Sequence, residues 1–192
     1  MKKLALDFYR REDVVLVARE LLGKVLMTKI NGVVTGGIIS ETEAYNGVID
    51  RASHAFGGRR TGRTEIMYSA GGSSYVYLCY GMYSLFNVVT GRQDIPHAVL
   101  VRAIQPLHGI ATMAKRRKLP ASAKNLTAGP GTLSLALGIH YKRHNALSLL
   151  GKDVWIEEGE SARLSQIQIG PRIGVESAGK DALLPYRFVL KT

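Results

Sequence analysis

Residues 24–45 read KVLMTKINGVVTGGIISETEAY, and this stretch carries the strongest fold signal in the chain. β-Branched and apolar residues flank Asn31-Gly32, a pair that suits the type I′ turn of a tight hairpin. The pattern therefore predicts two antiparallel strands, over 24–30 and 33–45. Gly36-Gly37 inside the second strand predicts a β-bulge or the close approach of another backbone segment.

Outside this hairpin, helical and extended patterns are interspersed without a regular βαβ repeat. A second pair of strands, over 75–79 and 84–90, is predicted around Tyr80-Gly81-Met82-Tyr83, and 50–72 is predicted to be a long functional loop. The other predicted elements are helices over 14–22, 110–118 and 125–137 and strands over 98–104, 154–156, 167–169 and 187–190. We therefore predict an α+β fold. It would be a single domain over residues 1–192 with a mixed, mainly antiparallel curved sheet, flanking helices and a protruding β-hairpin.

The charge of the chain is strongly one-sided. Lysine and arginine number 26 against 15 aspartate and glutamate residues, which gives a net charge of +11. A polyanionic partner explains this excess better than solubility does, and nucleic acid is favoured over an anionic membrane surface. Charge alone does not distinguish DNA from RNA.

Composition also excludes several classes of protein. No stretch approaches the roughly 18 consecutive apolar residues of a transmembrane helix. Asp7 and Arg10 interrupt any apolar segment behind the basic N-terminus, which argues against secretion. The single cysteine, Cys79, excludes an internal disulfide and a cysteine-rich zinc site. These features predict a reducing, intracellular compartment.

Two carboxylates lie at the end of the second predicted strand. With a period of two, Glu41, Glu43 and Tyr45 point to one face. If that face is interior, a carboxylate sits beside an aromatic ring in a partly desolvated place, where a general base for water could be tuned. The alternative is a solvated strand face, and the pattern does not choose between the two carboxylates.

His54 lies among glycines and arginines that suit close approach to a phosphate backbone. A lone histidine is more often structural or simply exposed, so this residue alone does not indicate a site. No second histidine or cysteine stands at helical or turn spacing from His54, so a metal role is poorly supported.

Tyrosines are concentrated between residues 68 and 83, which hold five of the nine. Tyr75, Tyr77 and Cys79 share one predicted strand face, which is compatible with core packing or with a pocket. Tyr80, beside a glycine at a hairpin tip, is harder to explain as core, and an exposed ring there could enter a base stack.

Polar residues also interrupt two apolar strands. Asn87 and Arg102 either reach solvent at a sheet edge or are buried, and a buried arginine needs a carboxylate, carbonyl or phosphate partner. The segment from Asn31 to Leu107 holds no lysine, so every cation there is arginine. Arginine cannot supply the amine nucleophile of a Schiff-base lyase.

Taken in order, the motifs of this chain resemble the alkyladenine (3-methyladenine) DNA glycosylase family. The resemblance covers nearly the whole chain and rests on these segments: Glu41-Thr42-Glu43-Ala44-Tyr45, Ser53-His54, Gly57-Gly58-Arg59, Tyr75-Val76-Tyr77, Tyr80-Gly81-Met82-Tyr83, Asn87, Val101-Arg102-Ala103, Ala128-Gly129-Pro130 and Gly170-Pro171-Arg172-Ile173-Gly174. The loop departs from the family pattern at Gly62 and Thr64, where proline and asparagine are expected, and this removes a source of loop stiffness.

The resemblance implies a role for each of these side chains. Glu43 would be the general base that activates water, and Arg102 would help position that water. Tyr45, His54 and Tyr77 would bind the flipped base. The remaining implied contacts are Asn87 as a filter against guanine, Tyr80 as the intercalating ring, and Met82, Tyr83, Arg59 and Arg63 as DNA contacts. No metal or organic cofactor is implied.

The expected function is therefore that of a monofunctional base-excision-repair glycosylase. It would flip alkylated or deaminated purines from duplex DNA and hydrolyse the N-glycosidic bond. Damaged double-stranded DNA would be the partner of a monomeric, cytoplasmic, nucleoid-associated protein. A non-catalytic damage binder and an RNA-binding module are the alternatives, although no RNA-recognition signature occurs. The ligand motif of zinc deaminases is missing.

Overall fold

A computed structural model describes residues 2–191, which form an eight-stranded sheet with helices packed against it. Along the chain, the strands are β1 Val25–Ile30, β2 Val33–Tyr45, β3 Ser74–Cys79, β4 Tyr83–Thr90, β5 His97–His108, β6 Val154–Glu157, β7 Ile167–Gly170 and β8 Arg187–Leu190. The main order is β3-β4-β5-β2-β1-β6, and β8 joins β2 to β7. Every strand pairing in residues 2–191 is antiparallel, so the sheet is not mixed.

The helices are short. They are α1 Leu6–Tyr9, α2 Val14–Glu20, α3 Ile110–Arg117, α4 Pro130–Leu137 and α5 Tyr141–His144, with 3-10 turns over Gly47–Ile49, Phe56–Gly58, Glu65–Tyr68, Leu164–Gln166 and Glu176–Leu183. Helix α2 begins where the side chain of Asp13 accepts a hydrogen bond from the Leu16 amide at 2.8 Å. No helix in residues 2–191 is long and apolar enough to span a membrane.

The long strand β2 organises the sheet. One edge of β2 pairs with β5, while the other pairs first with β1 and then, at Glu41–Glu43, with β8. Register shifts against β5 occur between Ile39 and Glu41 and again between Glu41 and Thr42. Such bulges bend a strand and re-aim its side chains. The sheet consequently curls around the end of β2, where the two carboxylates lie.

The hairpin predictions are confirmed. Asn31 and Gly32 have φ values of 52° and 79°, the positive angles that a type I′ turn requires. Gly36-Gly37 is both a bulge and a close approach, since a Cβ atom would collide with Met27 at Gly36 and with the Gln105 carbonyl at Gly37.

Two apolar clusters form the interior. The larger cluster packs α2, α3 and α4 against the sheet and includes Phe86, Val99 and Leu133. The smaller cluster holds Tyr75 and Met67, together with Tyr68, Val89, Ala55 and Ala98. It lies under the 50–72 loop and thereby anchors that loop to β3, β4 and β5.

The predicted α+β class and the curved, mainly antiparallel sheet are confirmed. Three element predictions need correction: β5 continues to His108 rather than ending at residue 104, α4 begins at Pro130 rather than at 125, and α1 and α5 were not expected. The segment before α4 consists of turns and bends, and its Ala128 bridges to Ala103 on β5. A single domain over residues 1–192 stays a prediction, and residues 1 and 192 lie outside the described part of the chain.

Candidate active site

A cleft of about 850 Å³ opens between the sheet, the 50–72 loop and the segment after β7. This volume lies in the range of small-molecule sites, about 300–1,000 Å³. Nine of the eleven predicted site residues line it: Tyr45, His54, Arg59, Arg63, Tyr77, Tyr80, Tyr83, Asn87 and Arg102. The other two are Glu43, which is buried beside the cleft, and Met82, which is exposed at the hairpin tip.

Glu43 is the most enclosed carboxylate of the site, with a side chain 0% exposed. Its Oε1 accepts a hydrogen bond from the Ile173 amide at 2.9 Å and lies 3.2 Å from an Arg102 guanidinium nitrogen. Its Oε2 accepts a hydrogen bond from the Tyr45 hydroxyl at 2.9 Å. A buried charge is tolerated only when donors compensate it, and these three donors also fix the direction of both oxygens.

Arg102 joins both carboxylates. Its Nε donates to Glu41 Oε1 at 2.8 Å, and the same oxygen accepts a hydrogen bond from Arg187 at 2.6 Å. Burial lowers the pKa of Arg102, but the charges of Glu43 and Glu41 outweigh this effect and raise it overall. A buried arginine needs a partner, and here two carboxylates of β2 provide it, on the side of the strand opposite Ala44, which packs in the larger apolar cluster.

Tyr45 connects the carboxylate to the cleft. Its hydroxyl donates to Glu43 while its ring lines the cavity. Burial and the nearby charge of Glu43 raise the pKa of Tyr45 well above its ordinary value. The hydroxyl therefore keeps its proton and acts as a donor at any physiological pH.

His54 is held as a neutral ring. Its Nε2 lies 3.3 Å from an Arg63 nitrogen, and its Nδ1 lies 2.8 Å from the Tyr75 hydroxyl. Because a guanidinium only donates, Nε2 must accept and Nδ1 must carry the proton. Burial, reinforced by the charges of Arg63 and Arg59, lowers the pKa of His54 to about 4.

An aromatic wall continues from His54 along β3. The Tyr77 ring lies 4.7 Å from the His54 ring in an edge-on arrangement and 5.4 Å from the Tyr75 ring. Burial raises the pKa of Tyr77, so its hydroxyl is neutral. The Arg63 guanidinium lies 4.8 Å from the centre of the Tyr77 ring. The wall is therefore neutral, with one cation at its rim.

Asn87 is buried on β4 behind this wall. Its Nδ2 donates to the carbonyls of Tyr75 at 3.1 Å and Leu85 at 3.3 Å. Both amide hydrogens are thus directed to the backbone and are not free for a ligand. Asn87 is thus fixed in orientation by the strands on which it sits.

The tip of the β3–β4 hairpin is exposed. Tyr80 is 88% and Met82 is 71% exposed, which is far above the exposure of the residues on the cleft floor. Tyr80 also has a φ of 48°, in the left-handed region that costs a non-glycine residue about 1–2 kcal/mol. The fold itself does not explain an unpacked, strained tyrosine at this position.

The arginine-rich loop is tied down by Thr64, one of its two departures from the family pattern. The Thr64 hydroxyl accepts a hydrogen bond from the Thr61 amide at 2.9 Å and lies 3.0 Å from the Arg59 carbonyl, and the residue is 2% exposed. Threonine therefore supplies a local restraint in a loop where the expected proline is absent. Arg59 and Arg63 flank this restraint at the mouth of the cleft.

No group of three or more histidine, cysteine, aspartate or glutamate side chains within residues 2–191 is arranged to hold a metal ion.

Comparisons with known proteins identify the family of the chain. Residues 7–192 match the family model described as methylpurine-DNA glycosylase (MPG). The chain belongs to the methylpurine-DNA glycosylase family. Related proteins include one from Chlamydia felis, 46% identical over 96% of this chain and 94% of its own. Others come from Clostridium acetobutylicum, 43% identical over 98% and 94%, and Bacillus cytotoxicus, 45% identical over 92% and 90%. Each has the words 3-methyladenine DNA glycosylase in its name.

Membership of the methylpurine-DNA glycosylase family confirms the resemblance that the ordered motifs predicted. Sequence reasoning missed the segment after β7, where the Ile173 amide contacts Glu43 and where Arg172 pairs with Asp50. The signal that could have found it is the Gly170-Pro171-Arg172-Ile173-Gly174 motif. It was recognised for its resemblance to the family, but no role in the site was assigned to it.

Proposed function

We propose that this chain is a monofunctional DNA glycosylase of base-excision repair, which flips alkylated or deaminated purines out of duplex DNA and hydrolyses their N-glycosidic bond. The observation that carries the proposal is the fully buried Glu43, held by three donors beside an aromatic cleft. A non-catalytic DNA binder has no need of a desolvated carboxylate at this place.

Glu43 acts as the general base. Oε2 uses one acceptor position for the Tyr45 hydroxyl, and its second position can accept a proton from an enclosed water. The water oxygen bonds to C1′ of the sugar as the bond from C1′ to the base nitrogen breaks, and the bonding pair leaves with the base. The ionised carboxylate also stabilises the positive charge that develops on the sugar. Arg102, fixed by Glu41, holds the carboxylate and helps to position the water.

The aromatic wall binds the flipped base. Tyr45, Tyr77 and His54 offer neutral ring faces and edges, and alkylation at a ring nitrogen makes a purine cationic. A cation on an aromatic ring gains about 0.5–2 kcal/mol, so this pocket favours charged lesions. A neutral lesion such as hypoxanthine leaves less readily and needs hydrogen bonds from His54 or a backbone amide.

Asn87 acts as a filter. Its side chain is immobilised by the two carbonyls that it binds, so it cannot move aside for the exocyclic amino group of guanine. A rigid obstruction of this kind discriminates by about 1–3 kcal/mol. Normal guanine is therefore disfavoured in a pocket that accepts many purines.

The exposed residues around the cleft engage the duplex. Tyr80 enters the base stack and fills the gap left by the flipped nucleotide, while Met82 and Tyr83 pack beside it. Arg59 and Arg63 contact the phosphate backbone at the mouth of the cleft. The net charge of +11 supports this interaction along a wider face.

The reaction is hydrolytic and not a lyase reaction. Among the described residues, those that line the cleft include four arginines and no lysine. Without a lysine amine, no imine forms with the sugar, and the product is an intact strand with an abasic site.

One cleft serves one lesion, so we also propose that the protein acts as a monomer on nucleoid DNA in the cytoplasm.

The test is a metal-free incubation with oligonucleotide duplexes that carry ethenoadenine, hypoxanthine or 3-methyladenine. Free base and strand breaks are measured before and after alkali. We expect free base, with breaks only after alkali, and the order of rates defines the range of lesions.

Breaks without alkali would show lyase activity and contradict the monofunctional reaction. Tight binding to lesion duplex without base release would favour the non-catalytic damage binder. Tighter binding to single-stranded RNA than to any duplex would favour an RNA-binding module.

A further inference from the structure

Below the cleft lies a buried ion pair that the proposed reaction does not use. Arg172 donates from both terminal nitrogens to the carboxylate of Asp50, one of these bonds measuring 2.8 Å. The two side chains are 0% and 1% exposed. A pair this completely desolvated is costly to form, and a structural role alone could be filled by apolar packing.

The other contacts of Arg172 lead to the site. It donates to the Ala44 carbonyl, between Glu43 and Tyr45, at 2.9 Å. Its guanidinium lies 4.9 Å from the centre of the Tyr45 ring and 5.3 Å from that of Tyr186. Arg172 is not exposed to the cleft, so Tyr45 separates it from the cavity that the ring lines.

Asp50 extends the same unit to the loop that carries His54. One of its oxygens accepts a hydrogen bond from the Asn46 amide and the other from the Ala52 amide, both at 3.0 Å. These amides bracket the turn that leads from Tyr45 toward His54. One carboxylate therefore fixes the backbone on both sides of the pocket.

The residue after Arg172 in the chain, Ile173, contacts Glu43 itself. Ile173 donates its amide hydrogen to Glu43 Oε1 at 2.9 Å. The position of this amide is set by the anchored guanidinium one residue before it. From these contacts we propose that Arg172, held by Asp50, is a positioning residue that keeps the Tyr45 hydroxyl and the Ile173 amide in contact with Glu43. The inference rests on the proposed function, because Glu43 is taken as the base.

The experiment compares Arg172→Lys with the wild type in single-turnover excision of ethenoadenine from duplex DNA. Lysine keeps the positive charge beside Asp50 but loses the planar fork and the stack on Tyr45. We expect excision to slow by up to about 10²-fold, as when a reacting group is misplaced by about 1 Å. Hydrogen exchange of the Ile173 amide should accelerate in the same variant, a readout that does not depend on catalysis.

Two further variants separate positioning from general stability. Arg116→Lys is the matched control, because Arg116 is a partly buried arginine away from the cleft that donates to the Ala136 carbonyl of α4 and to the Thr35 hydroxyl of β2. It should lower the Tm without slowing excision by more than about twofold.

Tyr186→Leu removes only one stacking partner of Arg172 and should slow excision by about 2- to 30-fold. It provides the test if Arg172→Lys fails to fold.

A double-mutant cycle shows whether Arg172 acts through Tyr45. Tyr45→Phe removes the hydroxyl that reaches Glu43, so adding Arg172→Lys to it should slow excision less than the same change does in the wild type. The inference is overturned if Arg172→Lys slows excision equally in the wild-type and Tyr45→Phe proteins. It is also overturned if Arg172→Lys changes neither the hydrogen exchange of the Ile173 amide nor the rate of excision. A wild type that releases no base contradicts the proposed function instead, and the exchange measurement still tests the contact.

Discussion

The floor of the cleft and the tip of the β3–β4 hairpin are built in opposite ways. Glu43 is fully buried and held by three donors, whereas Tyr80 is 88% exposed in a strained backbone conformation. Most polar groups on the floor contribute both to folding and to the site, because removing one leaves another unpaired. The tip contributes nothing to the core. Substitutions on the floor should therefore change stability and activity together, and substitutions at the tip should change activity alone.

The largest effect is expected for Glu43→Gln, which removes the proposed base but keeps the shape of the side chain. Loss of a general base slows a reaction by about 10²- to 10⁴-fold, and we expect single-turnover excision to fall in this range. The Tm should also fall, since Arg102 loses one of its two carboxylates.

The matched control is Glu41→Gln, two residues earlier on the same strand. It removes the other carboxylate from Arg102 but leaves the contacts of Glu43 with Tyr45 and Ile173. Excision should stay within about tenfold of the wild type, as for the loss of a supporting hydrogen bond. If Glu41→Gln were inactive and Glu43→Gln active, the two carboxylates would have to exchange roles.

The second effect is expected at the tip. Tyr80→Gly removes the exposed ring and relieves the strain of a tyrosine at φ 48°. Stacking of a base on an aromatic side chain contributes about 1–3 kcal/mol, so binding to lesion duplex should weaken by about 5- to 150-fold. The Tm should stay the same or rise, because glycine adopts this conformation without a steric penalty.

Binding is measured by titration of a labelled ethenoadenine duplex, and the Tm by thermal unfolding. Val33→Ala is the control, since Val33 is also an exposed apolar residue beside a hairpin turn but belongs to β1–β2. It should bind normally. A Tyr80→Gly protein with a lowered Tm would show that the tip is part of the folded core after all, and the contrast between the two regions would fail.

Asn87 combines features of both regions, since it is buried yet is proposed to act on the bound base. Asn87→Ala leaves the Tyr75 and Leu85 carbonyls without this donor and should destabilise the protein by about 1–3 kcal/mol. The open space should raise excision of undamaged guanine relative to ethenoadenine by about tenfold. A lower Tm without any change in this ratio would make Asn87 a structural residue only.

The sequence predicted the local features of the fold better than the long-range ones. Asn31-Gly32 specifies its turn through the conformations of two residues, so the hairpin could be read directly. The extension of β5 to His108 and the bridge of Ala128, just before α4, to Ala103 depend on partners elsewhere in the sheet. Local periodicity carries no information about those partners, so the end of β5 and the start of α4 were both predicted wrongly.

The same distinction holds for the site. Glu41 and Glu43 were predicted as candidates because they share a strand face with Tyr45, and Arg102 because it interrupts an apolar strand. The choice between Glu41 and Glu43 needed the resemblance, since both carboxylates contact Arg102. The pairing of Arg172 with Asp50 joins residues 122 positions apart, and nothing in the local pattern of either residue names the other.

The smallest effect concerns His54 and appears in stability. Its pKa is lowered from 6.5 in the unfolded chain to about 4 in the folded protein, mainly by burial. Between these values the unfolded state binds more protons, so the stabilising contribution is complete above pH 6.5 and is lost as the pH falls through 4. His97 and His144, whose pKa values are also lowered, add to the same slope. Only the share of His54 should disappear in His54→Gln, about 1–2 kcal/mol after allowance for its partial exposure.

The measurement is the free energy of unfolding by urea at pH 7, 6, 5 and 4 for the wild type and His54→Gln. The difference between the two proteins should shrink or reverse as the pH falls, because only the wild type has to protonate a ring enclosed by Arg63 and Tyr75. Parallel curves would mean that His54 is solvated in the folded protein. In that case His54 would belong with the exposed residues of the hairpin tip, and the neutral aromatic wall would consist of the tyrosines alone.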